Sequence, residues 1–300
     1  MHLLTFLEVI LIFLLSLFVS GNNLSAAVGT LIGSRIISRI GGTIIGMIGF
    51  ITGFALQGKS MEGAAHSLFP APEYYVVLLL LVVIAIFIIA QILKSPLSLS
   101  MALVGTAIGI SLRLGLNLNF GYVYFLVLIW VISPMLAIAG SFAVNRYLGK
   151  VHLDKTWNMT LVLKLLLLVI SFFTAYTIGS NTIGLMAAFA GFSVYTEIAV
   201  LSGIILGSLF LSKGVLKRVG EDMYSMRYFN ALTSLAVSSI MVEAATLFSI
   251  PLSSTQALTS SVFGAGLSYR YKALFLKPYL IVVLTWVISP LTGLIIGYII

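Results

Sequence analysis

Cysteine is absent from the chain, which excludes disulfides and thiolate metal sites and leaves the redox compartment unread. Charge is scarce too: 8% of residues are Asp, Glu, Lys or Arg, and the only aspartates, Asp154 and Asp222, fall in loops. With 60% hydrophobic residues there is too little polar surface to cover a soluble fold of 300 residues, so the chain belongs in lipid. No His-Glu-x-x-His or Gly-x-Ser-x-Gly spacing occurs and no aspartate pair lies in a spanning segment. The usual proteolytic chemistries of an intramembrane enzyme would have no residues to work with. His2, His66 and His152 lie at the terminus or in loops and mark no metal centre. The net charge of +8 raises nucleic acid as a partner. The basic residues, however, stand singly or in small groups between apolar runs, as membrane-flanking charges do. Residues 1–19 lack Lys or Arg before their apolar stretch and carry Glu8 inside it, so they read as part of the mature fold rather than as a signal.

What is present is a duplication. Trp130-Val131-Ile132-Ser133-Pro134 recurs as Trp286-Val287-Ile288-Ser289-Pro290. Pro96-Leu97-Ser98-Leu99-Ser100 aligns with Pro251-Leu252-Ser253-Ser254-Thr255, and Gly21-Asn22-Asn23 with Ser180-Asn181-Thr182, at offsets of 156, 155 and 159. Three matches in one order point to a membrane protein built from two halves.

Apolar stretches long enough to span, about 20 residues each, lie near 3–19, 41–57, 74–93, 121–145, 157–178, 198–212, 229–250 and 279–300. Between them, 21–34, 96–112, 180–194 and 251–267 are apolar but interrupted by Asn, Ser, Thr, Pro and Gly. Such segments predict discontinuous helices whose unwound backbone lines a cavity. Counting five crossings per half inverts the second half and places thirteen basic residues on one side, against Lys59 and Arg113 on the other. That asymmetry makes the basic side cytoplasmic and puts both termini outside. Small residues at four-residue spacing, Gly49 with Gly53, Gly105 with Gly109 and Gly203 with Gly207, are a helix-packing signal.

Polar groups at membrane depth need a partner or a purpose. Asn22-Asn23 and Asn181-Thr182 occur at matching places in the two halves, where a chain break would leave backbone groups able to bind an anion or a small cation. A helix cap or an interhelical hydrogen bond is the plainer alternative. Ser98 and Ser100, matched by Ser253, Ser254, Thr255 and Gln256, follow a proline and so belong near a helix N-terminus. Hydroxyls with unpaired N–H groups form a neutral cradle for an oxyanion. Glu243, eight residues before Pro251 in an apolar run, is a candidate for proton coupling, or else a carboxylic acid bonded to a neighbouring helix. Glu8 and Lys164, a few residues inside apolar segments, are expected to snorkel.

These residues resemble the inorganic phosphate transporters of the PiT type. Ser20-Gly21-Asn22-Asn23-Leu24-Ser25-Ala26-Ala27 and Gly179-Ser180-Asn181-Thr182 are similar to that family's Gly-Ala-Asn-Asp-Val-Ala-Asn-Ala-like signatures. Pro96 to Ser100 and Pro251 to Gln256 are similar to its Pro-Val-Ser-Thr-Thr-His-like signatures, and Lys217 to Met223 to a cytoplasmic piece. The resemblance covers nearly the whole chain. It implies an all-α membrane protein, an inverted-repeat secondary transporter with discontinuous helices and about 10–12 membrane segments. The repeats would occupy 1–145 and 157–300, joined by a cytoplasmic linker over 146–156. It implies a multi-pass protein of the cell membrane, a homodimer, that carries inorganic phosphate by alternating access with Na⁺ or H⁺ as coupling ion and no other cofactor. Substrate would be bound by Asn22, Asn23, Ser98, Ser100, Asn181, Thr182, Ser253, Ser254, Thr255 and Gln256, and the coupling ion by Asn23, Thr182 and Glu243. Where the family carries an acidic residue in each copy this chain has Asn23 and Thr182, and the second Asn of the first signature is Ala26. A sulfate or related oxyanion permease and a passive anion channel are the competing expectations.

Overall fold

A computed structural model describes residues 3–33, 36–92, 98–148, 157–212, 228–270 and 276–300. Among them every regular element is helical. The helices are α1 (Leu3–Gly33), α2 (Arg39–Gln57), α3 (Glu62–Leu68), α4 (Glu73–Ile92), α5 (Leu99–Arg113) and α6 (Phe120–Leu148) in the first half. In the second they are α7 (Trp157–Ile178), α8 (Gly184–Ala190), α9 (Val194–Leu206), α10 (Tyr228–Leu247), α11 (Ser254–Arg270) and α12 (Leu276–Ile299). A 3₁₀ turn, Gly58–Met61, links α2 to α3. π turns at Gly179–Ile183 and Gly207–Leu211 join α7 to α8 and extend α9. Seven helical stretches among the described residues are long and apolar enough to cross a membrane, and Tyr74–Ile89 and Leu99–Arg113 are shorter apolar helices. The linker beyond Leu148, Pro96, both aspartates and the stretch from Lys217 to Met223 lie outside the described residues.

The packing exchanges the halves. α5 lies along α12 while α11 lies along α6, and α1 lies along α9 while α2 lies along α7. The close approaches repeat residue by residue. Gly49 abuts Ala175 and the carbonyl of Phe172, and Gly203 abuts Ser16 and the carbonyl of Phe13. Gly109 meets the Leu294 carbonyl of α12, and Gly264 meets the Ile138 carbonyl of α6. Any side chain at these glycines would collide with backbone, which cannot rotate aside. In lipid, where burying apolar surface gives no drive for association, such contacts let dispersion hold helices together.

Two expected interruptions are absent. α1 runs unbroken through Asn22 and Asn23, and Asn181 and Thr182 sit in a π turn of an otherwise continuous helix. Neighbouring helices override the weak helix preference of Gly, Ser and Asn here. Gly21 is pressed against Gly207 and Leu211, and the Ser20 and Ser25 hydroxyls bond to the Leu17 and Asn22 carbonyls of their own helix at 3.2 and 3.1 Å. A true break occurs at 248–253, where Ser249 adopts φ 53° and α10 gives way to α11.

Candidate functional site

Ser98 caps α5 by accepting from the Met101 N–H at 3.4 Å, and Ser253 caps α11 by accepting from the Gln256 N–H at 3.2 Å. These serines occupy matching positions in the two copies, and they are hydrogen bonded to each other at 2.8 Å. Two helix N-termini therefore abut. Each contributes first-turn N–H groups without intrahelical acceptors and the positive end of a helix dipole.

Further hydroxyls gather at the junction. Ser253 Oγ is 3.0 Å from Thr255 Oγ1; Ser100 Oγ lies 3.5 Å and Ser254 Oγ 3.3 Å from Thr182 Oγ1. Ser98, Ser100, Thr182 and Ser253 are buried, while Ser254 and Thr255 are half-buried. None of the six is charged, so the attraction available to an anion comes from N–H and O–H dipoles alone.

Asn181 does something else. Its Nδ2 donates to Thr246 Oγ1 and to the Ile250 carbonyl, both at 3.0 Å, and its Oδ1 accepts from the Leu252 N–H at 3.2 Å. It braces the break before α11. Tyr122 donates to the Ser249 carbonyl, the Trp130 indole N–H donates to the Pro251 carbonyl at 2.9 Å, and Ser249 Oγ donates to the Ser60 carbonyl. The carbonyls of Ser249, Ile250 and Pro251 are thus already engaged. The unwound backbone is a rigid mount for the α11 N-terminus rather than a set of vacant cation ligands. On the α5 side, Ser289 Oγ accepts from the Ser98 N–H at 3.1 Å.

Gln256 points away from its own helix, donating to the Trp130 carbonyl at 3.0 Å and leaving its buried Oε1 without a partner. Asn22 and Asn23 stand half-buried on α1, and their side chains have no hydrogen bond among the described residues. Glu243 on α10 makes no hydrogen bond with the hydroxyl cluster. It is half-buried, and its Oε2 is shielded and unpartnered. Glu8 does not snorkel into the open: it is buried and lines a cavity of about 520 Å³ with Thr5, His66, Ser193 and Thr196.

The sequence profile of the phosphate transporter family matches residues 19–297. The chain belongs to the phosphate transporter family. It is a multi-pass membrane protein of a family of transporters, not an enzyme. Among relatives of this family, the protein named "Putative phosphate permease" of Methanocaldococcus jannaschii is 26% identical, covering 98% of this chain and 96% of its own. The sulfate permease CysP of Bacillus subtilis is 25% identical over 70% of this chain and 61% of its own. A solved structure titled "The sodium-dependent phosphate transporter" superposes with a TM-score of 0.81 over 99% of both chains at 16% identity, which establishes the shared fold. The bracing residues Trp130 and Ser289 of this phosphate transporter family member belong to the repeated Trp-Val-Ile-Ser-Pro. That repeat was visible in the sequence as a mark of duplication, with nothing to reveal that each copy serves the other half.

Proposed function

We propose that the chain moves inorganic phosphate across the cell membrane by alternating access, coupled to Na⁺ or H⁺, and that phosphate binds where α5 and α11 meet. The observation that carries this reading is the 2.8 Å bond between Ser98 and Ser253. Two equivalent serines, two helix N-termini and six hydroxyls share one spot, which suits a tetrahedral anion with several acceptor oxygens. Ser100, Thr182, Ser254 and Thr255 reorient their hydroxyls toward it, and Asn181 holds the loop that positions Ser253. Neutral donors hold a dianion without trapping it, as a carrier that must release its cargo requires.

Phosphate near neutral pH keeps a hydrogen that sulfate lacks, and the first turn of α11 carries a buried acceptor, Gln256 Oε1, that has no partner among the described residues. That favours phosphate. Sulfate is the second reading, supported by the resemblance to a sulfate permease.

The halves, 1–145 and 157–300, run in opposite directions through the membrane, with the basic loops cytoplasmic and both termini outside. The exchange of contacts between equivalent helices supports a two-fold relation between the halves, and the charge asymmetry of the loops supports its inversion. Since the chain has no native cysteine, single cysteines introduced near position 65, at the exposed His66, and near position 220 test it with membrane-impermeant reagents. Labelling of the two positions from opposite sides is expected; labelling of both from one side contradicts the inversion.

Glu243 is the coupling carboxyl. One turn along α10, Thr246 bonds to Asn181, so a change of charge at Glu243 bears on the brace of the substrate site. The test is uptake of labelled phosphate into proteoliposomes under imposed Na⁺ and pH gradients. Saturable uptake, competed better by phosphate than by sulfate and raised by one inward cation gradient, is expected. Glu243→Gln, which cannot gain or lose a proton, should leave uptake indifferent to the pH gradient. Uptake that neither saturates nor follows any gradient identifies a channel, and an unaltered pH response in the variant removes Glu243 from coupling.

A further inference from the structure

A line of buried hydroxyls leaves the substrate junction along α11, and the equivalent interface of the other copy matches it only in part. It runs between α6, α10 and α11. Six serine side chains among the described residues are buried without any hydrogen-bond partner, and four of them, Ser133, Ser141, Ser260 and Ser261, lie on α6 and α11. The two helices face one another there, with Gly264 against the Ile138 carbonyl, and α10 closes the third side through Ser234, which donates to the Ser261 carbonyl at 3.4 Å. Ser238, on the same side of α10, is buried as well.

The duplication supplies an internal control. At the offsets that relate the repeats, Ser234 and Ser238 correspond to Leu79 and Val83, Ser260 to Gly105, Ser261 to Thr106 and Ser141 to Gly297. The first-half interface of α4, α5 and α12 is closed by aliphatic side chains and glycine contacts, and Thr106 bonds to the Ala102 carbonyl of its own helix at 2.9 Å. Ser289, the counterpart of Ser133, is likewise paired, with the Ser98 N–H and the Thr285 carbonyl, so packing at this place in the fold needs no unpaired hydroxyls. Burying polar groups unpaired is unfavourable, so a purely structural role accounts poorly for four of them in one interface.

We propose that the seam between α6, α10 and α11 is the route by which the oxyanion passes between the junction of α5 and α11 and the end of the bundle where Arg146 lies. The inference rests on the transport reading above. From Ser253 to Ser268 the seam is about 22 Å long at the rise of an α-helix. Its hydroxyls replace water around the anion step by step when the helices part. In the structure described here the seam is shut, and Asn145 shuts it: its Nδ2 donates to the Ala265 carbonyl at 3.2 Å and to Ser268 Oγ, and its Oδ1 accepts from Thr233 at 3.5 Å. One side chain thus ties all three helices together beside the neighbouring Arg146.

The absence of native cysteine permits a direct test. Ser141→Cys, Ser261→Cys and, as control, Thr106→Cys are each reconstituted in proteoliposomes and exposed to a negatively charged thiosulfonate. During phosphate turnover the two seam cysteines should label roughly tenfold faster than the control, because only their surroundings open to water, and labelling should block uptake. Asn145→Ala in the Ser261→Cys background should raise the rate further. Labelling of both seam cysteines no faster than Thr106→Cys overturns the proposal; should one variant misfold, the other reads the same seam. If the unlabelled protein takes up no oxyanion at all, the transport reading fails, while labelling in detergent still reports whether the seam admits an aqueous anion.

Discussion

Ser254→Ala and Thr255→Ala, made singly, are expected to lower phosphate uptake roughly tenfold to a hundredfold, since each removes a hydrogen bond to a charged group of about 1.5–3 kcal/mol. Both hydroxyls are half-buried at the start of α11, and neither caps a helix or braces the break. The melting temperature without ligand should therefore barely move, while its rise with added phosphate shrinks. Paired measurements of uptake and of phosphate-dependent melting in detergent read both effects. Undiminished uptake in both variants would take these hydroxyls out of the site.

Asn181→Leu should have the largest effect on the folded state. The replacement keeps the volume but strands the Ile250 carbonyl and the Leu252 N–H in a buried place, at a cost of about 2–5 kcal/mol. The loop before α11 loses its mount, so uptake should fall with stability. A destabilisation of the unliganded protein separates this role from that of Ser254 and Thr255. If Asn181→Leu melts like the parent chain yet fails to bind phosphate, Asn181 is a ligand rather than a brace.

The helical membrane fold was legible because composition and long apolar runs leave few alternatives in lipid. The duplication was legible from short repeated words, above all the paired Pro-Leu-Ser segments that prove to abut through Ser98 and Ser253. What the words did not reveal is which helices are broken. Asn22-Asn23 and Asn181-Thr182 look like breaks by composition, yet contacts with neighbouring helices, such as Gly21 against Gly207, keep both segments helical. Such contacts join residues nearly 200 positions apart and carry no local signal. For the same reason the sequence marks Trp130 only as part of a repeat, while its indole N–H donates to the Pro251 carbonyl of the other half. The contrast between Ser234 on α10 and Leu79 on α4 was readable, but only the packing shows that these positions line equivalent interfaces.

The abutting N-termini of α5 and α11 are the feature on which the proposed transport mechanism rests, and an anomalous-scattering map from crystals grown with arsenate tests them most directly. Arsenate copies the shape and charge of phosphate and marks its own position. The arsenic peak is expected at the junction, within hydrogen-bonding reach of Ser100, Ser254 and Thr255. A fully occupied peak elsewhere in the molecule, with that junction empty, would contradict the account.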